Sequence, residues 1–394
     1  VPLAVYVLGL SVFSLGTSEF MVAGLLKMIS EDLGVSIAEA GLLVSAFAGG
    51  MLVGAPLVAV TTLRISRKLI MIAMLVIFAA SHFVGAVAPT YEVLFATRVL
   101  SALGCAGFWA VAAASAIMLV PPHRRGRAMA VIVGGLTTAN VLGVPAGTFV
   151  GGHGGWRLAF LCVGLLSVLA LVGVIVLVPP ESGTSNMTVR LRTELDAYRN
   201  PRLWLAVAII VLTAATTIAT FSYLSPILTE VSGLPDGWLP GVLSLFGLGS
   251  LAGVLIGGKL ADTRPIFTLA SALSAMILVC VLLATKATDL AISVLLVFLM
   301  GFLGFVTNPA LNTRVFALAD RAPTLAGATC ITAFNCGIAL APWVSGKVID
   351  AWGPYTSAAW VSVAFGSVAL LAVVAAAIDE HQDGHPRAHS TARS

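Results

Sequence analysis

The chain is written as long apolar runs separated by short polar breaks. A helix needs roughly 20 apolar residues to cross the hydrocarbon core of a bilayer, and the breaks delimit twelve runs of that order. In the first half they fall near 3–27, 41–63, 69–88, 93–119, 128–150 and 158–179. In the second half they fall near 203–227, 239–258, 266–285, 290–312, 324–345 and 356–378. The pattern predicts an all-α membrane protein with twelve transmembrane helices. Gly and Pro interrupt the runs often, as helices in lipid tolerate. The longest polar break separates six runs from six. It sets the expected units at 1–180 and 202–378, joined by a linker at 181–201 and followed by a tail at 379–394. The linker region becomes charged and helix-capable from Met187 to Arg199, which reads as a tether lying on the membrane surface.

Composition agrees. Apolar residues make up 59% of the chain and charged residues only 10%, against about 45–50% and about 25% in soluble domains. With a mean hydropathy of +1.04, the chain lacks the charge to cover a water-facing surface. A soluble enzyme, a nucleic-acid binder and a disordered scaffold are excluded. The placement of the 21 Lys and Arg explains the net charge of +4. Sixteen fall in loops or segments on one face, including Arg64, Arg67, Lys68, Arg124, Arg125, Arg127, Lys259, Arg264, Arg314 and Arg321. Only Lys27, Arg157, Lys286 and Lys347 fall on the other, and Arg98 lies within a span. The positive-inside rule therefore predicts cytoplasmic termini. The first run lacks a basic flank and a cleavage site, and reads as a retained span rather than a signal peptide. The five cysteines stand apart in apolar stretches and read as buried thiols.

The two halves repeat. Gly50 and Gly54 are echoed by Gly249, Gly253 and Gly257, and Pro145 by Pro342. The basic loop Arg64–Lys68 is echoed by Lys259–Arg264, and every offset is close to 200 residues. Small residues four apart let helix backbones approach closely where lipid supplies no drive for association. Gly143, Gly147 and Gly151 form another such ridge.

These words resemble the major facilitator superfamily, and within it the twelve-span drug:proton antiporters. The loop Ala59–Lys68 is similar to the family's G-x-L-x-D-R-x-G-R-K pattern but has Leu63 at the acid position and Ala59 and Ser66 for two glycines. The second copy, Gly258–Arg264, keeps its acid as Asp262. Leu94, Arg98, Ser101 and Gly104 match the intramembrane arginine motif. Gly143-Val144-Pro145-Ala146-Gly147, followed by Gly155-Trp156-Arg157, matches the antiporter motif. More narrowly, Gly16–Met21 and Gly257–Pro265 resemble actinomycete chloramphenicol-resistance exporters. The resemblance implies two pseudo-symmetric six-helix bundles around a cavity lined by spans one, four, seven and ten. It also implies a monomer in the bacterial cytoplasmic membrane, driven by protons without a cofactor and exporting a neutral antibiotic such as chloramphenicol. Gating or packing roles pass by motif to Arg64, Arg67, Gly143, Pro145, Gly147, Asp262 and Arg264. Arabinose-like sugar efflux is the alternative within the superfamily, and a channel the alternative outside it.

Of 17 acids, Glu19 alone lies deep in a span. An intramembrane charge is costly, so it is a functional candidate by default. Arg98 is the one deep base, and guanidinium must find a partner or a wet cavity. Glu19 and Arg98 are therefore the expected proton-coupling residues. Helical spacing places Arg98, Ser101, Cys105 and Trp109 on one face of span four. It likewise aligns Gly301, Gly304, Asn308 and Asn312 on span ten, with Thr213, Thr217, Thr220 and Tyr223 on span seven. With Ser18 and Phe20, they make the expected substrate lining, although back-bonding hydroxyls and simple packing explain the same residues. Asn140 and Asn335 are weaker candidates, since glue between helices accounts for them equally well.

Three other signals fail. Gly253–Leu260 nearly spells a phosphate-binding loop but lacks the Ser or Thr that holds Mg²⁺, and it ends a membrane span. His381, His385 and His389 have i, i+4 spacing, but Gly384 and Pro386 break the helix that would use it. Neither sodium coupling nor a membrane enzyme finds the cluster of acids, nucleophile or metal ligands it requires.

Overall fold

The structure, a computed structural model, describes residues 2–61, 65–121, 124–179, 199–319 and 323–383. Among the described residues every regular element is helical. The first half comprises α1 (Leu3–Leu33), α2 (Ile37–Thr61), α3 (Arg67–Ala86), α4 (Tyr91–Met118), α5 (Arg125–Thr138), α6 (Val144–Gly154) and α7 (Trp156–Leu177). The second comprises α8 (Pro201–Phe221), α9 (Leu239–Thr263), α10 (Pro265–Lys286), α11 (Leu290–Val306), α12 (Asn308–Leu318), α13 (Pro323–Trp352) and α14 (Ser357–Asp383). Eleven stretches among the described residues are long and apolar enough to cross a membrane. The remaining long helix, α13, has 30 residues, roughly 45 Å at 1.5 Å per residue. It packs between α2 and α8.

Local chemistry sets the helix ends. Ser36 and Glu39 form a capping box: the Ser36 amide donates to Glu39 Oε2 at 2.8 Å, and the Glu39 amide donates to Ser36 Oγ at 3.1 Å. That box starts α2 immediately after Gly34 ends α1 in the left-handed region, at φ 66°. Asn200 and Asp289 cap α8 and α11 by accepting from the amides of Arg202 and Ile292. Proline breaks two spans in the middle. Pro145 offers no N–H to the carbonyl four residues back, and the chain widens into a π-helical turn at Ala139–Gly143. Pro309 likewise lacks an N–H to donate, and the tenth span divides at a turn at Thr307 into α11 and α12.

The repeat read from the glycines is a repeat of packing. A Cβ on Gly50 would meet Val99 O at 2.8 Å, and Gly54 lies against Leu103 and Ala106, so α2 packs closely on α4. Gly249, Gly253 and Gly257 press in the same way against the backbone carbonyls of Phe298, Phe302 and Val306 on α11. The ridge Gly143, Gly147, Gly151 faces Thr17, Met21 and Leu25, one residue per turn of α1.

The halves interlock at the end opposite the basic loops. Lys27 Nζ lies 3.4 Å from Glu230 Oε1. The Tyr223 hydroxyl donates to Pro342 O at 2.9 Å and is covered by Gly41 of α2 and Gly346 of α13. Gly247 of α9 lies on the Asn140–Val141 backbone. At that same end, Trp156 Nε1 donates to Asp32 at 3.1 Å, and Arg157 both pairs with Asp32 and donates to Ala88 O at 3.0 Å. Gly155, at φ 81°, permits the turn between α6 and α7 that brings both side chains there. The Gly155-Trp156-Arg157 motif thus ties α7 to the ends of α1 and α3.

Candidate functional site

On the basic-loop side of this interlock lies a cavity of about 310 Å³ between the halves. Along each helix its residues come nearer the basic face than the interlocking ones: Glu19 before Lys27, Met51 beyond Gly41, Thr217 before Tyr223, and Asn335 before Gly346. Its wall is apolar and aromatic, with Phe20, Met51, Trp109, Leu136, Ile218, Phe305, Ile331, Phe334 and Ile338. The polar lining is Glu19, Asn140, Thr213, Thr217, Asn308 and Asn335. A run of aromatic contacts joins the halves at this level. Phe20 meets Phe221 edge-on at 6.2 Å, Phe221 lies 4.4 Å from Phe246, and Phe246 meets Phe305 at 6.2 Å.

Glu19 is the one acid in that wall. Arg98 is fully buried behind it, within electrostatic range, yet directs its hydrogen bonds to Ser18. One terminal nitrogen donates to Ser18 Oγ at 2.8 Å and the other to Ser18 O at 3.0 Å. The guanidinium stacks over the Phe47 ring at 4.4 Å. The Ser18 hydroxyl passes the network on, lying 2.7 Å from His82 Nε2. His82 Nδ1 lies 2.8 Å from the Phe78 carbonyl, which can only accept, so the proton sits on Nδ1 and Nε2 accepts from Ser18. His82 belongs to this network and sequence spacing alone gave it no role. The signal was present, since it is the one histidine within an apolar span of the first four helices.

Of the expected lining, Phe20, Trp109, Thr213, Thr217, Gly304 and Asn308 face the cavity, with Glu19 beside them. Gly301 packs on the Phe246 backbone instead, and six more residues are engaged elsewhere. Ser18 is occupied by Arg98 and His82. Ser101 turns back to Arg98 O at 2.9 Å, and Cys105 is buried in the core. Thr220 is engaged instead by Ser362 on α14, at 2.6 Å. Tyr223 belongs to the interlock, and Asn312 lies outside the lining, one turn of α12 beyond Asn308. The common cause is that a helical stripe crosses several environments along its length, and only its central turn reaches the cavity. Asn140 and Asn335 do line it, the former carried in by the π-helical turn.

Among the gate and packing residues, Gly143 and Gly147 lie at the α1 contact, and Pro145 is buried at the start of α6. Arg67 contacts Met118 Sδ, and Arg264 is exposed at the end of α9. Arg64, the Asp262 side chain and most of the expected linker lie outside the described residues, as do His385 and His389.

Comparison with known proteins places this geometry. Residues 8–332 match the family model of the Major Facilitator Superfamily. The chain is 42% identical over 372 residues to a chloramphenicol resistance protein of Streptomyces lividans, covering 94% of this chain and 95% of that one. It is 32% identical to the inner membrane transport protein YdhP of Escherichia coli K12, covering 93% and 94%. Among solved structures, the nucleoside transporter NupG superposes with a TM-score of 0.77 at 16% identity, covering 95% and 99%. An inward-facing bacterial homolog of the human lysosomal transporter Spinster gives 0.74 at 18%, covering 98% of each chain.

Proposed function

The chain belongs to the major facilitator superfamily, and from that premise we propose that it exports a neutral aromatic antibiotic, chloramphenicol foremost, in exchange for protons. The observation that carries the reading is a cavity between two packed halves whose aromatic wall holds a single carboxylate, Glu19. An apolar wall with a few placed polar groups suits a drug-sized neutral ligand better than a sugar, which would need a polar partner for every hydroxyl. The name of the Streptomyces relative supports the substrate.

In this reading residues 1–180 and 202–378 move as two bodies, with 181–201 as their tether and both termini in the cytoplasm. The protein works as a monomer in the bacterial cytoplasmic membrane, without a bound cofactor. The interlock at Lys27, Gly41, Tyr223 and Gly346 closes the far side while the cavity loads from the basic side. Glu19 takes up a proton when the cavity faces outward and releases it when the cavity faces inward. Arg98, held by Ser18 and stacked on Phe47, supplies a fixed positive charge beside that carboxyl.

The test is transport in vesicles with an imposed pH gradient. Glu19→Gln keeps the shape and hydrogen bonding of the side chain but cannot titrate. Uphill chloramphenicol movement should cease while equilibrium binding stays within a few-fold of the parent. Uphill export by Glu19→Gln at the parent's rate rules out coupling at Glu19, and arabinose movement without chloramphenicol movement favours sugar efflux.

A further inference from the structure

Two polar atoms in the cavity wall have no hydrogen-bond partner among the described residues: Thr213 Oγ1 on α8 and Asn335 Oδ1 on α13. Thr213 is 3% exposed and Asn335 5%, so neither is a surface group bathed in solvent. Both oxygens lie closed off just beneath the cavity surface, and buried polar atoms are nearly always paired, so each is placed to gain its partner when a bound molecule shifts the wall. The orientation of the amide is fixed by its own helix. Asn335 Nδ2 donates to Ile331 O at 2.9 Å, which leaves the carbonyl oxygen as the unpaired end. The two helices approach closely beside these residues, since a Cβ on Gly337 would lie 2.8 Å from Ala214 Cβ and 3.0 Å from Ala215 N. Thr213 and Asn335 stand one and two residues before that contact on their helices, and both line the same cavity.

We propose that Thr213 and Asn335 form the polar recognition subsite for the exported molecule, and that the group they read is a hydroxyl. The inference rests on the central cavity being the substrate site. Asn335 Oδ1 can only accept a hydrogen bond, whereas Thr213 Oγ1 can donate or accept. A ligand hydroxyl donates to the amide oxygen and accepts from the threonine. An ether or ester oxygen accepts only and leaves Asn335 Oδ1 unpaired. An ammonium donates only and gains no countercharge on this wall, since the cavity carboxylate is on α1. Phe334 and Ile331 on α13 supply apolar surface beside the pair. The ligand class is a neutral aromatic molecule carrying at least one free hydroxyl.

The experiment compares equilibrium binding of chloramphenicol and its di-O-methyl derivative to the purified full chain. The derivative keeps the ring and the amide but cannot donate from either oxygen. The parent should bind chloramphenicol about tenfold more tightly, the scale of a buried hydrogen bond lost. Thr213→Val and Asn335→Leu, which keep volume, should each bring chloramphenicol toward the derivative's level and leave the derivative within twofold. Thr213→Ser, which returns the hydroxyl, should restore discrimination. Equal affinities in the parent, or discrimination that survives both substitutions, overturns the subsite alone and leaves proton-driven export to the vesicle assay. A parent that binds neither compound overturns both the subsite and the substrate reading.

Discussion

The two halves share a frame and differ in what they put on it. Gly50 presses on the backbone at Val99 in the first half, and Gly249 presses on the backbone at Phe298 in the second. The residue before each contact is therefore equivalent. In the first half it is Arg98, and in the second it is Val297, both fully buried. One position thus carries a guanidinium tied to Ser18 and His82 in one half and an aliphatic packing residue in the other. The second half places its polar atoms elsewhere, as neutral amides and hydroxyls at Thr213, Thr217, Asn308 and Asn335. Duplication fixes backbone geometry, because small residues four apart are needed wherever two helices touch. It leaves the cavity-side residues free to diverge, and charge has collected on one wall and neutral recognition on the other.

The shared frame is tested most severely at Gly253. Its Cβ position overlaps the backbone carbonyl of Phe302, which cannot move without its helix. Gly253→Leu should remove most folded protein from the membrane, and Gly253→Ala should cost about 1–3 kcal/mol, read as a lowered Tm in detergent. Gly147→Ala would sit 3.2 Å from Met21 Cβ, a few tenths of an ångström tighter than usual and clear of any backbone atom, and should cost about 1 kcal/mol or less. Equal effects at the two sites would show that backbone contact is not what the ridges protect.

The difference between the halves is tested next at Arg98. Arg98→Leu gives the first half the aliphatic character that Val297 has in the second. It loses two charge-assisted hydrogen bonds, worth about 1.5–3 kcal/mol each, and should abolish the pH dependence of transport while drug binding persists. Pumping with the parent's pH profile in that variant would remove any role for Arg98 in coupling.

A smaller effect belongs to His82. His82→Ala leaves the Ser18 hydroxyl without its acceptor and should cost about 1–3 kcal/mol. Because both residues serve one network, Ser18→Ala added to His82→Ala should cost less than the sum of the single changes. A strictly additive double-mutant cycle, read from Tm and from the KM for drug, would separate the two side chains. The smallest effect is at the interlock. Lys27→Ala removes a pair about one-third exposed on each side and should cost about 1 kcal/mol or less. Crosslinking across the far side should nonetheless become less frequent.

Much of this protein is determined along the chain itself. Twelve apolar runs, the glycine ridges and the acid deep in the first span are legible because each follows from a local rule: the thickness of a bilayer, the size of a side chain, the cost of a charge in lipid. Run boundaries were short by up to a turn or two, as at α1 and α13, because helices continue past the hydrocarbon into polar residues such as Glu31 and Asp350. Tertiary structure decided which residue of a helical stripe meets the cavity. Spacing put Ser101, Cys105 and Trp109 on one face, but only Trp109 reaches the opening, since the neighbouring helices cover the rest. It also decided that Arg98 binds Ser18 instead of Glu19, and that the break before Pro145 brings Asn140 into the wall. Those outcomes depend on distances between helices far apart in sequence, which periodicity along one helix does not contain.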